Sequence, residues 1–113
     1  MTMTPSRKPN DCADLGQVRS EIDRIDQALV ALIAERFGYV ERAWQLKLGA
    51  GQEASVPWRN QQVIDKVRAR AAGVGVPPDL CEALWRQMIG WFIQYEEEKL
   101  RGHIEASSEG ESR

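Results

Sequence analysis

Apolar residues along the first half of the chain recur at helical spacing. Leu15, Val18, Ile22, Ile25, Leu29 and Leu32 step by 3 and 4 positions, and the pattern continues through Phe37, Val40 and Trp44, interrupted by Gly38 alone. This predicts one helix from about Asp14 to Leu48. At 1.5 Å per residue it would be roughly 50 Å long, longer than a compact domain of this size is wide, so the stripe needs partners along its length. A second copy of the chain is the natural one. "GAGQEAS" breaks the helix, and "VPWRNQQVIDKVRARAAG" starts another with Pro57 at an early position, where its missing N–H is no loss. That helix ends near Gly73. After the turn "GVGVPPD", Leu80, Leu84, Met88, Trp91 and Tyr95, flanked by Trp85, Ile89 and Phe92, predict a third helix to about Arg101. No strand pattern and no internal repeat is visible. The expected fold is all-α, with three helices, long, short and long.

Composition narrows the function classes. The 113 residues suffice for one domain, and a net charge of −2 gives no general attraction to nucleic acid or anionic membrane, so any anion selectivity is local. The polar segment 1–10 and the small, acidic segment 103–113 read as loose tails around a domain at 11–102. No stretch resembles a signal peptide or a membrane span, which makes the cytoplasm the default compartment. Cys12 and Cys81 stand far apart without metal-ligand spacing, and His103 is the single histidine. We therefore expect no metal site and no Cys/His catalysis.

The candidate chemistry lies in cations placed on apolar faces. In the heptad frame that begins at Leu15, one core position recurs at Ile22, Leu29 and then Arg36. A guanidinium cannot shed its proton, so at a buried position it requires a carboxylate from the protein or from a ligand. Lys47 follows eleven residues later, within about 20° of the same helix face and roughly 16 Å along the axis. Arg19 precedes Arg36 by seventeen residues, about 25 Å away and about 100° round, so it can join the same site only from another subunit. Spacing alone leaves two readings open: an anion site, or ion pairs across an oligomer interface. By itself, Arg59 in "VPWRNQ" reads as a surface residue.

The segment "LGQVRSEIDRIDQALVALIAERFGYVERAWQLK" resembles the first helix of the all-helical chorismate mutase family, in which an arginine precedes "EID-ID", a second follows after seventeen residues and a lysine after eleven more. Arg19, Arg36 and Lys47 match, and Arg59 matches a fourth cation at the start of helix two. The similarity runs on through "MIGWFIQYEEE" and covers about Asp11 to Arg101. It implies an intertwined homodimer that converts chorismate to prephenate by a pericyclic rearrangement, without cofactor or covalent intermediate. Such work consists of positioning and electrostatics. By the resemblance, Arg36 and a partner-chain Arg19 clamp the carboxylates of the dianion, Arg59 supports the clamp, and Lys47 donates to the ether oxygen whose bond breaks.

Two departures from the family pattern matter. The glutamine that accompanies the lysine aligns with Glu96, on the stripe of Trp85, Ile89 and Phe92. Protonated, Glu96 would donate as the glutamine does; ionised, it would repel the developing oxyanion, so activity is expected to rise toward mildly acid pH. The competing reading makes Glu96 one of a solvated run with Glu97 and Glu98. The family's acidic residues near the ring hydroxyl align with Asn60 and Val56, and we place these with Phe92 among the substrate contacts. The family also holds isochorismate–pyruvate lyases, and "DC" before the first helix, "YV" after Arg36 and "W-I" in helix three look like that branch. Mutase activity is favoured, with the lyase as the alternative. A third reading is a non-catalytic helical interaction module. "KVRARA" reads as a solvated helix face, and Trp85 and Trp91 as core rather than an aromatic platform.

Overall fold

The computed structural model describes residues 6–51 and 53–111, and side chains as far as residue 103. The ends of the two expected tails, 1–5 and 112–113, lie outside the described residues. A single 3-10 turn, Pro9–Asp11, precedes three helices: α1 Leu15–Ala50, α2 Pro57–Gly73 and α3 Pro78–Glu111. The expected long, short, long plan holds. α3 passes Arg101, where the apolar stripe stops. Stripe periodicity reports burial, whereas continuing a helix needs only backbone hydrogen bonds and no proline, and Gly102 weakens it by about 1 kcal/mol. None of the described helices is long and apolar enough to cross a membrane.

Each helix boundary has a local cause. At the start of α1 the Gln17 N–H donates to Asp14 Oδ1 at 2.9 Å while Gln17 Oε1 accepts from the Ala13 N–H at 2.7 Å, a reciprocal cap of the orphan amides. α1 stops at Gly51, whose φ of 67° is left-handed. α2 begins with Pro57 behind Val56, which has no capping side chain. It ends where Gly75 takes φ 78° and the Val76 N–H reaches back to the Ala71 carbonyl at 2.9 Å.

The chain divides into two compact units, Met1–Tyr39 and Val40–Arg113. In the first, the stripe residues Leu15, Ile22, Leu29 and Leu32 remain 66%, 50%, 50% and 61% exposed, and α1 as a whole buries no residue. In the second, α2 packs against α3, and Ile64, Val67, Ala71 and Phe92 form its core. On α3 the packed face is the one expected to flank the stripe: Phe92 is buried and Trp85 and Ile89 are half-buried, while Leu80, Leu84 and Trp91 are exposed. The helix carries two apolar faces, and only one is filled within the single chain. Trp91 nevertheless stacks on Tyr95, centroids 5.5 Å apart, and meets Phe92 edge-on at 5.1 Å.

Ion pairs clamp the α2–α3 turn. Arg68 Nη1 donates to Asp79 Oδ1 and Glu82 Oε1, both at 2.8 Å, and Arg86 Nε donates to Glu82 Oε2 at 2.7 Å. Arg86, and after it Arg68, hold the Glu82 carboxyl below its usual value.

Candidate active site

Helical spacing brings Lys47 to the last turn of α1, and the following loop and α3 close around its ammonium. Lys47 Nζ donates to Glu96 Oε2 at 2.6 Å and to the Ala54 carbonyl at 2.8 Å. The pair is well shielded, with side-chain exposures of 18% for Lys47 and 9% for Glu96. At that burial a lone charge of either sign would be costly, and each supplies the other's counter-ion. An ammonium carries three protons. Two have partners among the described residues, which leaves one N–H to meet a ligand.

Glu96 separates from its neighbours in sequence: it is buried, while Glu97 and Glu98 are exposed. This follows from α3 geometry. Glu96 lies four residues after Phe92 and so falls on the same packed face, whereas Glu97 and Glu98 are turned about 100° and 200° away. The solvated-run reading of Glu96 is thereby excluded. Its carboxylate is engaged by Lys47.

Lys47, Leu48, Ala54, Ser55, Glu97, Leu100 and Arg101 are among the residues lining an open cleft of about 560 Å³. Asn60, half-buried on the first turn of α2, directs its Nδ2 to Ser55 Oγ at 3.3 Å. Val56 is half-buried at the N-cap of α2, and Phe92 is buried a turn before Glu96. Arg59 is exposed and donates to Gln62 Oε1 at 2.7 Å. On the first unit, Arg19 is exposed and Arg36 is half-buried on α1. The structure thus joins Lys47 directly to Glu96 and ties Asn60, on α2, to Ser55 in the loop next to the Ala54 carbonyl that Lys47 meets. Among the described residues no group of three or more His, Cys, Asp or Glu is gathered to hold a metal.

Two parts of this arrangement were not read from sequence: the Ala54 carbonyl and the Ser55 hydroxyl. A backbone acceptor has no residue-type signature, and a serine in a short loop is too common to single out. The available signal was positional, since both immediately precede Val56 and Pro57, where the chain must turn into α2.

A family model described as chorismate mutase type II matches residues 18–97, which contain Arg19, Arg36, Lys47, Arg59 and Glu96. Among curated proteins, the chain is 35% identical over 77 residues to the T-protein of Enterobacter agglomerans, covering 68% of this chain and 21% of that protein. It is 32% identical over 90 residues to the isochorismate pyruvate lyase of Pseudomonas aeruginosa, covering 77% of this chain and 85% of that protein.

Proposed function

Because the chain belongs to the chorismate mutase type II family, we propose that it is an isomerase that rearranges chorismate to prephenate without a cofactor. The observation that carries this reading is Lys47 itself: a shielded ammonium, anchored by Glu96 and the Ala54 carbonyl, on a side chain that lines a cleft. In the rearrangement one carbon–oxygen bond breaks as a carbon–carbon bond forms, and negative charge gathers on the ether oxygen. A fixed N–H aimed at that oxygen binds the transition state more strongly than the ground state, which is the condition for acceleration. Arg36 and Arg59 hold the two carboxylates with Arg19 of the partner subunit, and Phe92 walls the ring. Glu96 stands beside Lys47 at the reacting oxygen and anchors its ammonium.

The dimer belongs to the same proposal. α1 buries none of its residues, and its apolar stripe and the outer stripe of α3 are exposed in one chain. A second copy covers both and delivers Arg19 to the site.

Two observations favour a second reading, elimination of pyruvate from isochorismate to leave salicylate. The similarity to the Pseudomonas lyase spans 85% of that protein, and Val56 and Asn60 stand where the mutase pattern has acidic groups. Supplying the purified protein with each isomer separates the readings. Prephenate from chorismate supports the mutase; salicylate with pyruvate from isochorismate supports the lyase. Turnover of neither leaves the non-catalytic helical module.

A further inference from the structure

A polar contact at the start of α2 lies one residue from the carbonyl that Lys47 meets. α2 has Val56 at its N-cap and Pro57 at its first position, so Ser55 is the residue before the cap and Asn60 the fourth of the helix. In many helices these two positions hold apolar side chains whose contact fixes the angle at which the chain enters the helix. Here a polar contact replaces it, with Asn60 Nδ2 donating to Ser55 Oγ at 3.3 Å. The carbonyl immediately before Ser55 belongs to Ala54, which is 8% exposed and accepts from Lys47 Nζ at 2.8 Å.

We propose that Asn60 is a positioning residue: through Ser55 it sets the Ala54 carbonyl, and through that carbonyl it aims the remaining N–H of Lys47. A lysine side chain turns about four bonds, and one acceptor leaves its ammonium free to swing. Two acceptors on different elements, Glu96 on α3 and Ala54 on the loop, fix the head in place. Releasing the loop acceptor leaves the charge pair intact but loosens the direction of the third proton. A donor that must meet a developing charge at hydrogen-bond distance is sensitive to such loosening.

This inference rests on the reading of Lys47 as the donor to the reacting oxygen, and it differs from a direct role of Asn60 at the substrate's ring hydroxyl. The test uses the full chain with Asn60→Ala, Ser55→Ala and the double variant. The first readout is the NMR resonance of the Lys47 side-chain ammonium and its adjacent methylene in unliganded protein. Each single variant is expected to move it, and the double variant to move it no further. An unchanged Lys47 resonance in both single variants overturns the inference. The second readout is turnover of chorismate: kcat is expected to fall about tenfold in each variant with KM held within about twofold, because the lost interaction is one made in the transition state. A raised KM at unchanged kcat in Asn60→Ala, with Ser55→Ala at the wild-type level, would instead make Asn60 a ligand contact and overturn the proposal. If the wild-type protein converts neither isomer, the functional reading fails, while the Lys47 resonance still decides the positioning role.

Discussion

Replacing Lys47 by methionine keeps the length and apolar stem of the side chain and removes the ammonium. Glu96, 7% exposed, then keeps its carboxylate without a counter-ion, and the Ala54 carbonyl loses its donor. Breaking one half of a buried ion pair costs about 3–5 kcal/mol. The 18% exposure of the Lys47 side chain admits some water to the stranded carboxylate, which puts the expected loss near the lower end, about 3 kcal/mol. For a domain of this size, about 4–8 °C of Tm accompanies each kcal/mol, so Lys47→Met should melt about 12–24 °C below wild type. Thermal unfolding followed by circular dichroism measures this, with protein concentration held fixed because assembly itself shifts Tm. Adding Glu96→Gln to Lys47→Met removes the stranded charge and should recover more than half of the loss. A Lys47→Met protein that melts within about 3 °C of wild type, or a double variant no more stable than Lys47→Met, would refute the shielded pair as described.

Three further outcomes are expected. Ile25→Lys, in the middle of the exposed α1 stripe, should convert a sedimenting dimer to monomer and abolish turnover with it; a monomeric wild type at micromolar concentration would contradict the assembly. Glu96→Gln, which keeps a hydrogen-bonding group beside Lys47 without the charge, should retain turnover, whereas Glu96→Ala should lower kcat about tenfold, and an unaltered kcat in Glu96→Ala would remove Glu96 from the reaction. Arg68→Gln should weaken the α2–α3 turn at neutral pH. Glu82 is held below its usual value by Arg86 and Arg68, so its contribution is present above the ordinary carboxylate range and is lost as pH falls through the lowered value. The difference between variant and wild type, read by denaturant unfolding, should therefore shrink in strong acid and in high salt.

The three helices were legible because each has its own periodic stripe and its own punctuation: Pro57 opens α2, and Gly51 and Gly75 take the left-handed conformations that close α1 and α2. These are local effects, encoded within a few residues of where they act. The end of α3 was less legible, since nothing apolar marks a helix once it ceases to pack. On α3, Leu84 and Phe92 are equally apolar, so the sequence marks two apolar faces without distinguishing the one that α2 covers. Which of them is covered depends on the surface opposite.

The sequence by itself determined that cations would occupy apolar helix faces at fixed intervals, because a 3.6-residue period converts spacing into direction without reference to the rest of the molecule. Only the tertiary structure decided what Lys47 touches. Glu96 is forty-nine positions away, and its burial apart from Glu97 and Glu98 follows from how α3 packs. The Ala54 carbonyl and the Asn60 to Ser55 bond depend on the path of one short loop, where backbone groups that every residue possesses acquire roles by position alone.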